Sequence, residues 1–117
     1  MRLWERLSEK EFESVYKSGK KFYGKYIVVV ASNAVKKKVG FVSSKKIGKS
    51  HIRNRARRLM KEAFLKVEPV LTEDYSFVLI ARNTIVGLKM QDVLSDLEGI
   101  VFRFRKSLLD RKEAQEE

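Results

Sequence analysis

The chain has no cysteine and a single histidine, His51. Without thiols there is no disulfide framework, no thiolate zinc site and no cysteine nucleophile, and one imidazole cannot build a histidine metal cluster. The longest uninterrupted apolar run, Tyr26 to Ala31, falls far short of the roughly 20 residues that cross a bilayer. The first residues, Met1-Arg2-Leu3-Trp4-Glu5-Arg6, lack the apolar stretch of a secretory signal. The expectation is a soluble cytoplasmic protein with no membrane partner. A further absence is local: between residues 36 and 61 there is no Asp or Glu at all.

What is present is enough apolar sequence for one core. The 117 residues are 44% hydrophobic and 10% aromatic, which suits one folded domain rather than a disordered chain. Against this stands the charge, with 26 Lys and Arg facing 15 Asp and Glu for a net +11. It is unevenly spread. Residues 1–35 carry +3, residues 36–61 carry 11 basic side chains and +11, and residues 62–117 carry −3. A surface made basic for solubility mixes signs. Segregation of this kind points to a polyanion, nucleic acid ahead of an anionic membrane.

Local signals place the elements. Ser8 and Glu11 have the spacing of a capping box, and Leu7 with Phe12 that of a hydrophobic staple. The helix they open carries Phe12, Val15 and Tyr16 on one face and stops at Gly19. Tyr26–Ala31 reads as a buried strand and Val39–Val42 as a second. From about Ser50 a helix places Ile52, Ala56, Leu59, Met60, Ala63, Phe64 and Val67 on one stripe, ending before Pro69. A third strand covers Tyr75–Ala81. A last helix carries Met90, Val93, Leu94, Leu97, Val101, Phe104 and Leu108 on one face. The pattern predicts a single α+β domain over residues 1–109, a helix-and-sheet sandwich with a small, mainly antiparallel sheet, and a frayed charged tail over 110–117.

The helix beginning near Ser50 combines a core stripe with a polybasic remainder. Asn54, Arg58 and Lys61 point away from the stripe, Arg53 and Arg57 flank it on one side, and Arg55 flanks the other. Four Arg within six residues repel one another, and the cations at the helix start oppose the macrodipole. Only Glu62 offers local relief, one turn from Arg58. The free chain gains nothing visible from this arrangement, so a phosphate backbone is the expected counterpart. Gly48-Lys49-Ser50 imitates the end of a phosphate-binding loop, but Ser43 stands where that motif needs its first glycine. No nucleotide cofactor is expected.

Ser43-Ser44-Lys45-Lys46-Ile47-Gly48-Lys49, followed by Arg53-Asn54-Arg55-Ala56-Arg57-Arg58-Leu59, resembles the bacterial ribonuclease P protein component. The likeness extends to Phe12-x-x-Val15-Tyr16-x-x-Gly19 and to Tyr75–Arg82. It implies an accessory subunit of a ribonucleoprotein endoribonuclease. Catalytic RNA with Mg²⁺ removes the 5′ leader of precursor tRNA, and the metal is held mainly by RNA and substrate rather than by the protein alone. Carried over by position, Lys46, Lys49, Arg53, Asn54, Arg55, Arg57 and Arg58 are RNA-binding candidates, and Lys45 and Lys61 join them from the basic loop and helix. Phe12, Tyr16, Tyr26, Val28 and Val30 are those of a cleft for the single-stranded leader. Such a cleft suits stacking and cations with little base readout.

Phe12 reads either as core or as cleft floor. Val30 falls where the family often has an aromatic, and strand parity puts Tyr26 and Val28 on its face as a substitute. The resemblance also implies a left-handed β-α-β crossover, against the general right-handed rule. His51 reads as a solvated or phosphate-adjacent side chain and Trp4 as the edge of the core. Asp92, Asp96 and Glu98 read as a solvated helix face. The alternative functional readings are a structural rRNA-binding ribosomal protein, which the charge fits equally, and a protein-only nuclease. The nuclease is disfavoured because the basic segment has no carboxylate to hold a catalytic metal.

Overall fold

The computed structural model describes the backbone of residues 4–116 and the side chains of residues 4–111. Its elements are β1 (Glu5–Arg6), α1 (Glu9–Ser18), β2 (Lys20–Tyr23), β3 (Ile27–Ser32), β4 (Lys38–Val42), α2 (Ser50–Val67), β5 (Ser76–Ala81) and α3 (Met90–Glu116). Helix α3 continues through the segment expected to fray as far as Glu116, and Glu117 lies outside the described residues.

Helix α1 starts where its capping box requires. The Glu11 N–H donates to Ser8 Oγ at 3.2 Å, and the Ser8 N–H donates to Glu11 Oε1 at 3.0 Å. Gly19 ends the helix without a left-handed turn. It is extended, with φ −81°, and a Cβ there would stand 2.4 Å from Val30 Cγ1. The glycine is needed for close approach of the helix end to β3 rather than for backbone freedom.

The five strands lie in the order β1-β4-β5-β3-β2. β2 and β5 run antiparallel to β3, while β4 is parallel to β5 and β1 to β4, so most of the register is antiparallel. The parallel neighbours β4 and β5 are joined through α2, giving a β-α-β unit at the centre.

Both sheet faces are covered, which is why Ile27–Ser32 is apolar almost throughout. Ile27, Val29 and Ala31 enter the larger core beneath α2 and α3, with Met60, Phe64, Leu79, Leu97, Ile100 and Phe104. Val30 enters a smaller core beneath α1, with Val15 and Val78. Trp4 belongs wholly to the larger core, edge-on to Phe64 at 5.5 Å and tilted on Phe77 at 5.7 Å. In α3, Ile100 is buried and joins Val93, Leu97 and Phe104, while Val101 is only partly covered.

Two short strands escape the periodicity. β1 has two residues, and β2 begins with Lys20 and Lys21, which look like loop sequence. Asp96 also departs from the expected solvated face. Its carboxylate accepts the backbone N–H groups of Lys25 at 2.9 Å, Tyr26 at 2.9 Å and Ile27 at 3.2 Å, and so ties the β2–β3 turn to α3. Gly24 permits that approach, since a Cβ there would lie 2.4 Å from Asp96 Oδ2.

Candidate nucleic-acid interface

Helix α2 presents its charge as the stripe predicts. Ala56, Leu59, Met60, Ala63, Phe64 and Val67 are buried against the sheet. Asn54, Arg55, Arg58 and Lys61 are exposed, and Arg53 and Arg57 are half-buried at its flanks. Lys45, Lys46 and Lys49 stand exposed on the 3-10 turn and connection that lead in. That turn is anchored by buried Ile47. Gly48, at φ 147°, then redirects the chain where a side chain would be strained and would press on Ile52.

Internal hydrogen bonds organise part of the cation set. Arg53 donates to the Gly48 carbonyl and to Ser50 Oγ, both at 3.2 Å, and so clasps the helix start. Arg57 donates to Asn54 Oδ1, and Arg55 reaches the Leu88 carbonyl at 3.4 Å. Arg58 forms no ion pair with Glu62, so the expected local relief is absent. Within residues 36–61, only Lys38 is ion-paired among the described residues. The first turn of α2 has no acidic side chain, and Lys49 at the N-cap supplies no capping acceptor. The positive end of the dipole therefore adds to the surrounding cations.

Lys38 serves the fold instead. Its ammonium donates to Glu11 Oε2 at 2.8 Å and lies 3.8 Å from Glu5. The hydrogen bond from Lys38, helped by the Ser8 N–H, holds the Glu11 carboxyl down at about 2. The same bond raises Lys38 above its ordinary 10.5.

The second surface follows from sheet register, because residues paired across strands share a face. Three rows cross the face that carries α1. Lys38, Ser76 and Ser32 form one, bound to α1 through Glu11 and through Ser18, whose hydroxyl lies 2.7 Å from that of Ser32. Gly40, Val78, Val30 and Lys21 form the middle row, directly beneath the helix. Val42, Ile80, Val28 and Tyr23 form the third. Phe12 and Tyr16 lie on the side of α1 away from Glu11 and Ser18, so they look onto this third row. Their rings stack at 6.2 Å with an interplanar angle of 10°. This face is the candidate groove, with Phe12 and Tyr16 as its wall and the half-buried Val42, Ile80 and Val28 as its floor. Lys21 Nζ sits 4.6 Å from the Tyr16 ring centroid, a cation at the edge of the aromatic wall.

Two expected cleft residues lie elsewhere. Val30 is 0% exposed beneath α1 and offers no open surface. Tyr26 packs against the larger core on the opposite face. Parity fails there because the chain bends at Lys25 and Tyr26, where Asp96 captures the backbone. Phe12 packs against the smaller core, and its ring stacks on that of Tyr16. Tyr23, which is not among the sequence candidates, is 61% exposed at the end of the floor row. Alternation within Lys20-Lys21-Phe22-Tyr23 was the available signal, since Phe22 alone is buried. His51 is exposed in the first turn of α2.

Among the described residues there is no group of three or more His, Asp or Glu able to hold a metal ion. Asp92 and Asp96, one turn apart, are both taken by backbone N–H groups. No helix of the described residues is long and apolar enough to cross a membrane.

The fold has known counterparts. It superposes on the Staphylococcus aureus RNase P protein with a TM-score of 0.70 at 22% identity, covering 86% of this chain and 94% of that one. The RNase P protein from Thermotoga maritima gives a TM-score of 0.73 at 26% identity, covering 85% and 96%. In sequence, the family model described as Ribonuclease P matches residues 4–105. A ribonuclease P protein component from Clostridioides difficile (strain 630) is 36% identical over 98 residues, 81% of this chain and 86% of that protein. One from Clostridium botulinum (strain Langeland) is 37% identical over 95 residues, 79% and 86%. The chain belongs to the ribonuclease P protein family.

Proposed function

We propose that this chain is the protein subunit of a ribonuclease P ribonucleoprotein, binding the catalytic RNA and the single-stranded 5′ leader of precursor tRNA. The observation that carries this reading is the set of exposed cations at Lys45, Lys46, Lys49, Arg55, Arg58 and Lys61, with no carboxylate paired to any of them among the described residues. Helix α2 and its leading turn meet the RNA backbone, with Arg53 holding the helix start in shape. The groove between α1 and the sheet takes the leader, whose bases stack on Phe12 and Tyr16 while Lys21 faces phosphate.

Catalytic groups and Mg²⁺ reside on the RNA and substrate, in keeping with the lack of a carboxylate cluster in the described chain. The protein lowers phosphate repulsion and positions the leader. A ribosomal role is not favoured, given the family match over residues 4–105.

The test is cleavage of precursor tRNA with separately purified components. The protein alone leaves the substrate intact, and adding it to the catalytic RNA at low Mg²⁺ raises cleavage at the mature 5′ end. Cleavage by the protein alone, or indifference of the RNA to its presence, overturns the reading.

A further inference from the structure

The strand β1 covers only the first part of β4: Glu5 pairs with Lys38 and Arg6 with Val39, and beyond that the outer edge of β4 has no strand neighbour among the described residues. Between this edge and α2 lies a solvent-open hollow of about 150 Å³. Its inner surface is aromatic and aliphatic, formed by Trp4, Phe41, Phe64 and Leu65, and its polar groups include Arg6, Arg57 and Lys61. Lys61 Nζ lies 6.0 Å from the Phe41 ring centroid. The hollow is separate from the groove under α1, because Phe41 and Phe64 belong to the face covered by α2 and α3.

We infer that this hollow is a capture site for one unstacked nucleotide of RNA, with the base against Phe41 and Leu65 and the phosphate on Arg6, Arg57 and Lys61. Charge and shape both select this occupant. Three cations beside an apolar recess demand an anion joined to a flat apolar body, and a nucleoside phosphate is that combination. Glu68 also lines the recess. A purely aliphatic partner leaves the cations unmatched, and a bare phosphate leaves the aromatic wall uncovered. An uninterrupted duplex offers phosphate but no free base, so the site selects a bulged or single-stranded nucleotide beside the helix that α2 grips. The inference rests on the RNA-binding reading above and adds base capture to it.

The experiment is an NMR titration of the free protein with adenosine 5′-monophosphate, following the indole N–H of Trp4, the chain's only tryptophan, and the Phe41 amide. Both signals shift saturably with the nucleotide, and ribose 5-phosphate leaves them in place. Leu65, exposed at the recess, provides variants that spare the core. Leu65→Glu weakens nucleotide binding roughly tenfold by removing the apolar contact and placing like charge beside the phosphate, and Leu65→Lys, which loses the contact but adds opposite charge, weakens it less. No saturable shift at Trp4, equal shifts with ribose 5-phosphate, or equal behaviour of the two Leu65 variants each overturns the inference. Stimulation of the catalytic RNA is measured on the same preparation. A protein that stimulates cleavage but ignores the nucleotide refutes base capture alone, whereas one that does not stimulate refutes the functional reading.

Discussion

Lys38 Nζ stands 2.8 Å from Glu11 Oε2, joining β4 to the first turn of α1. Lys38 belongs by sequence to the basic segment but by structure to the scaffold. Glu11 sits at about 2 in the folded chain against an ordinary 4.5, so the folded state binds its proton less readily than the unfolded state. Its contribution is therefore complete above pH 4.5 and is lost as pH falls towards 2. Lys38 is shifted upward, so its contribution is complete below 10.5 and lost at higher pH, as the raised group titrates. Urea unfolding of the wild type and Glu11→Gln should give midpoints that differ at neutral pH and converge between pH 4.5 and 2. A constant difference across that window would remove Glu11 from the explanation.

Asp96 should matter to the fold far more than an exposed helix carboxylate does. Replacing it with Ala strands three backbone donors at the β2–β3 turn, at a cost of about 1–3 kcal/mol. Asp96→Asn, which keeps an acceptor, should lose less. Chemical denaturation measures both, and a loss for Asp96→Ala within about 0.5 kcal/mol, the range of ordinary surface changes, contradicts the clamp.

Salt dependence distinguishes binding cations from structural ones. If roughly five phosphates are neutralised, log K for the catalytic RNA falls with log[salt] at a slope of about −3.5 to −4.5. Arg55→Ala and Arg58→Ala should each reduce the magnitude of that slope by somewhat under one unit, and Lys38→Ala should leave it unchanged. Filter binding over a salt series reads the slopes directly. A full-unit change for Lys38 with none for Arg58 would reverse the assignment.

Tyr23 and Tyr26 make a matched pair. Tyr23 is exposed at the end of the groove floor, and Tyr26 packs on the opposite face. Tyr23→Ala should weaken leader binding by about 1–3 kcal/mol, the scale of a lost base stack, with little change in unfolding midpoint. Tyr26→Ala should lower the midpoint and spare leader affinity. Fluorescence anisotropy with a single-stranded oligonucleotide, alongside denaturation, separates them. The opposite pattern would restore Tyr26 to the cleft.

What the sequence discloses is what depends on neighbours along the chain. The Ser8–Glu11 box and the α2 stripe are local patterns, so helix starts and faces follow from spacing alone. The cations of residues 45–61 were equally plain, since charge and helical position suffice to find them. Val28 and Val30 are indistinguishable by parity; only the seat of α1, over the middle row, buries one and leaves the other open. Asp96 meets its three donors some seventy positions away, and no local pattern announces such a partner. β1 owes its existence to the edge of β4, so two residues in isolation carry no strand signal.

The end of β4 has a mechanical meaning. Val42 closes the groove floor, and Ser50 opens α2, with only Ser43 through Lys49 between them. That link is pinned by buried Ile47 and clasped by Arg53 onto Gly48. It acts as a gauge rather than a tether: whatever lies in the groove and whatever lies along α2 are held at one set separation. Inserting a residue between Ser44 and Lys45 would leave α2 packed on the sheet and shift the cations of the leading turn relative to the groove.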